Sequence, residues 1–386
     1  MGRLRLALIS VLVLSLLVAV SGIFLWRNSG PLSTGSPKKA PGEEEPSPSA
    51  EKPSIEKGRR LAQETIAKDL FVPWALDFLP DESLIFTERS GNIKLIAKDS
   101  GHPKLLGMID QVETVGEGGL LGLAVHPEYE VNHQIYVYYT YRARGQLLNK
   151  VVRYRVENSN LVSNKVILHR IPGSANHNGG RIKFGPDQLL YVATGDAQEP
   201  ELAQDKRSLA GKILRVKDNG DIPKSNPFAD SPVFSLGHRN PQGLAWDNNK
   251  QLWATEHGST AHDEVNLVEA GGNYGWPTIT GNERKPALTP PVIQSGLDTW
   301  APSGAAFLDG TLFFTGLRGQ ALYTFKTQKP GRPSLSFANK LGRLRDVVVG
   351  PDNFIYIATS NRDGRGRPAP SDDRIIKIDP TQNDID

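Results

Sequence analysis

The sequence predicts an all-β chain folded as a six-bladed β-propeller with four-stranded antiparallel blades. Three observations carry this expectation. Beyond about residue 60 helical periodicity is scarce, and short β-branched and aromatic runs are bounded by Gly, Pro, Asn and Asp. One unit recurs six times: an apolar strand, a turn with Pro or Asp, and a second strand ending in threonine. The copies are "ALDFLPDESLIFT", "GLAVHPEYEVNHQIYVYYT", "RIKFGPDQLLYVAT", "GLAWDNNKQLWAT", "GAAFLDGTLFFT" and "DVVVGPDNFIYIAT". Their threonines, Thr87, Thr140, Thr194, Thr255, Thr315 and Thr359, lie 53, 54, 61, 60 and 44 residues apart. That spacing suits propeller blades; an irregular β-sandwich is the alternative arrangement of so many short strands.

Each copy supplies the two inner strands of a blade, and stretches such as "KVVRYRVE" and "GKILRVK" supply outer ones. The ring must also close. "ETIAKDL" near residue 65 and "RIIKID" near residue 375 are both strand-like, and pairing them in the last blade would remove the open edges.

Composition narrows the function classes. The 386 residues carry a net charge of +3 and no cysteine, which excludes disulfides, thiolate zinc sites and a cysteine nucleophile. There is no basic helix or arginine-rich run, so no nucleic-acid partner is expected. Arg3 and Arg5 precede Leu6–Trp26, 21 residues without a charge. This segment is long enough to span a bilayer, and Ala19-Val20-Ser21 offers a cleavage site. Residues 1–26 are therefore expected to be a signal peptide or an N-terminal membrane anchor. Residues 27–58, rich in Pro, Ser, Gly, Lys and Glu, read as a disordered linker. Residues 59–386 form the propeller, exported to a periplasmic or extracytoplasmic location.

Topology brings distant residues together. In a propeller all first strands run the same way, so the loops that lead into them gather at one mouth. The loops after each terminal threonine return there too. The leaders include "GEGGLL" (116–121), "NHNGG" (176–180), "HRNPQG" (238–243), "TWAPSG" (299–304) and "GRLR" (342–345). The mouth is thus expected to hold Arg239, Arg318, Arg343 and Arg345 with His177, Asn240, Gln242, Glu117 and Trp300. Clustered arginines repel one another unless an anion compensates, and their planar forks suit carboxylates. A small polyanion is the expected ligand.

A second dense stretch is "TEHGSTAHDEVNLVEAGGNYGWP" (255–277). His262, Asp263 and Glu264 fit no zinc spacing. Gly and Ser carbonyls beside Asp, Glu and Tyr favour a hard, oxygen-loving cation such as calcium. His257 and His262 are expected behind the ligands or at the surface. His102, His126, His133 and His169 read as structural, and His238 has no assigned role. No Ser-His-Asp pattern, phosphate-binding glycine loop or dinucleotide fingerprint stands out.

"GEGGLLGLAVHP", "NHNGGRIKFGPD", "LGHRNPQGLAWD", "EHGSTAHDEVN", "GGNYGWP" and "RLRDVVVGPD" together resemble the soluble quinoprotein glucose dehydrogenase and aldose sugar dehydrogenase family, in order over about residues 65–380. The resemblance implies a six-bladed propeller that uses pyrroloquinoline quinone and Ca2+. The three carboxylates of that quinone would account for the arginines. It implies His177 as general base, Arg239, Asn240, Gln242, Arg343 and Arg345 as cofactor contacts, and Arg239 also as a catalytic residue that stabilises charge developing on the quinone oxygen. Arg318 stands where the family usually has Lys, and Glu117 where Gln is common; both are carried over as cofactor contacts. The Gly258 and Ser259 carbonyls match the catalytic calcium position, with Ser259 where Pro is common. Glu264 and Tyr274 match a structural calcium site. Glu117, Asn176 and Trp300 are the expected substrate contacts, and Asn176 replaces an acidic residue of some members. The implied reaction oxidises the anomeric carbon of an aldose to a lactone by hydride transfer to the quinone, and an external acceptor then takes the electrons. The chain would act as a monomer or homodimer. A calcium-dependent propeller lactonase and a non-catalytic sugar- or protein-binding propeller remain the competing readings.

Overall fold

The computed structural model describes residues 63–98 and 100–381. The apolar segment Leu6–Trp26 and the linker 27–58 lie outside these described residues. The chain opens with β1 (Gln63–Ala67) and then builds four-stranded antiparallel sheets in sequence order. Blade I holds β2 (Pro73–Phe78), β3 (Leu84–Glu88), β4 (Asn92–Ile96) and β5 (Lys104–Met108). Blade II holds β6 (Leu120–Val125), β7 (Gln134–Ala143), β8 (Gln146–Glu157) and β9 (Asn160–Pro172). Blade III holds β10 (Ile182–Phe184), β11 (Leu190–Thr194), β12 (Lys212–Val216) and β13 (Val233–Leu236). Blade IV holds β14 (Pro241–Trp246), β15 (Leu252–Glu256), β16 (Glu264–Val268) and β17 (Ile293–Gln294). Blade V holds β18 (Pro302–Leu308), β19 (Thr311–Gly316), β20 (Leu322–Lys326) and β21 (Ser334–Ser336). Blade VI holds β22 (Leu344–Val349), β23 (Ile355–Thr359) and β24 (Ile375–Ile378), and β1 completes it.

The predicted closure is present: β1 pairs antiparallel with β24, Gln63 opposite Ile378 and Thr65 opposite Ile376. First strands touch around the axis, β2 with β6, β6 with β10, β14 with β18, β18 with β22, and β22 back to β2. Short apolar strands suit this ring because both faces of every sheet are covered by neighbouring blades. Leu76, Leu84 and Phe86 of blade I, for instance, pack with Tyr356, Ala358 and Ile375 of blade VI. Burying a leucine, isoleucine or phenylalanine here contributes roughly 1.5–3 kcal/mol.

Two local devices aim side chains at the axis. In blades I, II, IV, V and VI the pairing of first and second strands slips at the mouth end, between Pro73 and Ala75, Leu120 and Leu123, Pro241 and Gly243, Pro302 and Ala305, and Leu344 and Asp346. Such bulges re-aim the extra residue, and they hold Trp74, Leu121, Gln242, Ser303 and Arg345. The six repeat threonines are fully buried, and all but Thr194 sit beside a slip. Thr87 Oγ1 donates to Leu121 O at 2.7 Å and Thr255 Oγ1 to Ser303 O at 2.6 Å, each reaching the next blade. At these two positions the hydroxyl satisfies a carbonyl in the neighbouring blade's bulge, where an unpaired buried group would be costly.

Below the mouth the channel is plugged by charge. Arg181 Nη1 pairs with Asp346 Oδ2 at 2.8 Å, both side chains buried, and the Arg181 guanidinium lies 4.5 Å over the Trp74 ring. Thr255→Val keeps shape and strand propensity but orphans Ser303 O. It should lower the unfolding free energy by about 1–2 kcal/mol in chemical denaturation without altering the far-UV spectrum.

Candidate active site

The mouth encloses a cavity of about 320 Å³, within the size range of small-ligand sites. Its lining draws on all six blades. Trp74 and Leu121 come from first-strand bulges; Glu117, His177 and Arg239 precede first strands; His257, Gly258, Ser259, Arg318 and Arg365 follow second strands. Five arginines, Arg239, Arg318, Arg343, Arg345 and Arg365, face two carboxylates, Glu117 and Asp263.

His177 sits in the turn before β10 with φ of 59°. Glycines follow it because the chain folds tightly against blade III. A Cβ on Gly179, itself at φ 61°, would come within 2.6 Å of Ala193 O. The ring is fixed from behind: Nδ1 lies 2.7 Å from Asp196 Oδ1, and the other Asp196 oxygen accepts Trp276 Nε1 at 2.9 Å. A buried carboxylate at Nδ1 selects the tautomer with the proton there and leaves Nε2 as the basic position. Trp276 also underlies Arg239, whose guanidinium stands 5.3 Å over its ring.

The arginines are incompletely satisfied within the protein. Arg343 Nε donates to Asp363 Oδ2 at 2.8 Å, and Arg345 Nη1 to Gln242 Oε1 at 2.8 Å. Arg239 Nε, Arg345 Nε and His257 Nε2 are buried without a hydrogen-bond partner. Burial pushes the Arg345 guanidinium down to about 9, with Asp363 opposing and Arg343 adding to the shift. Burial likewise pushes His257 down to about 4, only partly offset by Asp263 and Glu117. Donors and positive charge in excess of acceptors are what a small polyanion would satisfy.

The Gly258–Ser259 turn follows β15. Asp263 Oδ1 accepts Gly258 N–H at 2.9 Å, while its other oxygen accepts the Trp300 and Ala301 N–H groups at 2.6 and 2.8 Å. A Cβ at Gly258 would come within 1.9 Å of Ala261 O, so only glycine fits this turn. A small cavity behind it is lined by Glu256, Glu264, Tyr274 and Trp276. Burial, with the Glu256 carboxylate nearby, pushes the Glu264 carboxyl up to about 8. The Tyr274 hydroxyl donates to Leu267 O and accepts Glu269 N–H, leaving its backbone carbonyl as the available donor. Among the described residues no group of three or more His, Asp and Glu side chains is placed to hold a metal. The donor set here is backbone oxygen plus a crowded carboxylate pair, which suits a hard cation such as calcium.

The structure brings His177, Glu117, Arg239, Gln242, Arg318, Arg343, Arg345, Gly258 and Ser259 to one cavity. Asn240 lies beneath it, fully buried, and its Oδ1 accepts Gly179 N–H at 3.0 Å, so it shapes the His177 turn. Asn176 is at the rim. Trp300 is not in the cavity: its indole is 7% exposed and packs 5.5 Å from both Phe314 and Tyr323, while Thr299 and Ala301 line the wall. Its leader position is right, but its ring packs into the apolar cluster shared with Trp253, Val265, Phe314 and Tyr323. His257, expected behind the site, is part of its wall.

A Ser–His–acid chain also exists that spacing did not reveal. Ser235 Oγ lies 2.8 Å from His238 Nε2, and His238 Nδ1 lies 2.7 Å from Glu256 Oε2. Ser235 and His238 are fully buried, and Glu256 also accepts the Arg239 N–H. This chain therefore supports the Arg239 turn and has no access to substrate. Asp196, Trp276 and Arg365 were missed. "GDAQEP" and "NYGWP" were visible as loops, but nothing in their spacing links them to His177.

The excess of buried positive charge has a stability cost that can be measured. Below about pH 9 the Arg345 charge opposes folding, and the opposition fades as pH rises between its folded and unfolded values. Arg345→Met should raise the unfolding free energy of the ligand-free protein by about 1–2 kcal/mol near neutral pH. Unchanged or lower stability would contradict this account of the basin.

Comparison with known proteins agrees with this geometry. The Glucose / Sorbosone dehydrogenase family model matches residues 70–368. An aldose sugar dehydrogenase of Streptomyces coelicolor, solved with PQQ bound, is 37% identical and aligns over 84% of this chain and 99% of its own, with a TM-score of 0.78. An aldose sugar dehydrogenase of Escherichia coli is 30% identical over 340 residues, 78% of this chain and 90% of its own. Quinoprotein glucose dehydrogenase B of Acinetobacter calcoaceticus is 34% identical over 258 residues, 58% of this chain and 54% of its own. With its six four-stranded blades and its arginine-lined mouth, the chain belongs to the glucose/sorbosone dehydrogenase family of oxidoreductases.

Proposed function

We propose that this protein is a quinoprotein dehydrogenase that oxidises the anomeric carbon of an aldose to a lactone, using pyrroloquinoline quinone and calcium. The observation that carries the reading is the juxtaposition in one cavity of the carboxylate-anchored His177 with a cluster of arginines, of which Arg239 and Arg345 keep unpaired buried nitrogens. Bound pyrroloquinoline quinone would supply the two-electron oxidant that no side chain can provide. Arg318, Arg343 and Arg345, with Gln242, would hold its carboxylates. The Gly258 and Ser259 backbone would hold the catalytic cation, and Glu264 with the Tyr274 carbonyl the structural one.

The protein's own part is positional and acid–base. His177 Nε2 takes the proton from the anomeric hydroxyl while the carbon gives up its hydrogen with the bonding electron pair. Asp196 keeps the ring in register and stabilises the imidazolium that forms. Arg239, stacked on Trp276, would stabilise negative charge developing on the bound oxidant. Substrate oxidation in an arginine-rich basin also fits this chain better than lactone hydrolysis, which would need a carboxylate-bound metal at the centre.

The direct test is an absorbance titration of purified protein with quinone and Ca2+, followed by addition of aldoses with a dye acceptor. Quinone uptake followed by sugar-dependent bleaching is expected; no spectral response to any aldose would sink the reading. His177→Gln should bind quinone as well as the wild type and lose turnover by at least about 10²-fold. Asp196→Asn should also keep quinone binding but lower kcat by about 10²-fold or more, because the wrong tautomer is then presented. Turnover within threefold of wild type in either variant would contradict the assigned roles.

A further inference from the structure

Three side chains from three blades meet at the rim above His177. Arg365, in the loop from β23 to β24, donates from Nη1 to Glu117 Oε1 at 2.5 Å and from Nη2 to Asn176 Oδ1 at 3.0 Å. Glu117 and Arg365 are 248 residues apart in sequence, so the contact exists only because the ring closes. Glu117 Oε2 accepts the His177 N–H at 3.2 Å, tying the same carboxylate to the turn that carries the base. Asp363 anchors the loop: its Oδ1 accepts Arg365 N–H at 2.9 Å, while its Oδ2 accepts Arg343 Nε at 2.8 Å.

An exposed ion pair alone would mean little. This one differs because the carboxylate is mostly buried while the guanidinium is 55% exposed and forms part of the cavity wall. Burial would raise the Glu117 carboxyl. His257, Arg365 and the His177 N–H outweigh that and hold it down to about 2, with Arg89, Arg239 and Arg345 also facing it. Arg365 holds the side-chain oxygens of Glu117 and Asn176 together beside the base through its two terminal nitrogens. Its fork carries five N–H donors, more than these two contacts use. A sugar ring, which presents hydroxyls as alternating donors and acceptors, would meet donors on Arg365 and acceptors on Glu117 and Asn176.

We propose that Arg365 is a specificity-determining residue of the mouth, donating to a sugar hydroxyl near the reacting carbon and orienting Glu117 and Asn176 as acceptors for its neighbours. This rests on the aldose dehydrogenase reading. It assigns Arg365 a role in choosing the sugar epimer, with no part in holding the quinone.

The test uses wild type, Arg365→Ala and Arg365→Lys, each first titrated with quinone and Ca2+. All three should take up quinone equally. Arg365→Ala should then raise KM for the best aldose about 10- to 100-fold, with kcat changed less than about threefold, and should compress the kcat/KM ratio between C2 and C3 epimers. Arg365→Lys keeps the charge but not the fork, and should fall between the two. Binding of 1,5-anhydroglucitol, which lacks the anomeric hydroxyl and cannot be oxidised, should weaken about 10-fold or more in Arg365→Ala by calorimetry. Equal quinone uptake with unchanged KM, epimer ratio and anhydroglucitol affinity would overturn the role of Arg365 and leave the proposed function standing. Loss of kcat alone would mark a structural residue and overturn it too. If the wild type takes up no quinone, the function reading itself falls, and this inference with it.

Discussion

The pairing of β1 with β24 is the constraint on which the rest depends. Each blade buries both faces only if it has a neighbour on both sides, and a ring has no end only if the last blade borrows its outer strand from the start of the chain. Closure also places blade VI against blade I. Arg343, Arg345 and Arg365 come from blade VI and its loops, while Glu117 and His177 lead into blades II and III. Without closure these groups would lie at opposite ends of an open array, and the cavity would not exist.

A ring of this kind can tolerate an electrostatically unfavourable mouth because its stability lies elsewhere. The sheets are held by apolar contacts between blades and by buried threonines that cap the bulges. The channel floor is neutralised by Arg181 with Asp346. At the mouth the balance is reversed: arginines outnumber carboxylates, and Arg239 Nε and Arg345 Nε are buried without a partner. The carboxylates that are present are used for position. Asp196 orients His177, Asp263 shapes the Gly258 turn, Asp363 joins Arg343 to the Arg365 loop, and Glu256 holds the Arg239 turn. Asp196, Asp363 and Glu256 sit behind the wall and only Glu117 and Asp263 line it beside five arginines, so the face left toward a ligand is cationic.

The sequence by itself determined the repeat and, through it, the mouth. A strand–turn–strand unit that cannot bury its faces alone must stack into a ring, and the order of strands within each copy then dictates which loops share an end. That reasoning needs only the threonine register, and it correctly gathered His177, Arg239, Gln242, Arg318, Arg343 and Arg345. What the tertiary structure alone decided is the direction of each side chain. A one-residue bulge sends Arg345 into the channel, whereas Trp300 turns into the packing between Phe314 and Tyr323. Asp196, Trp276 and Arg365 were illegible for the same reason. Their partners lie 19, 80 and 248 residues away, at separations set by how six blades close and not by any local period.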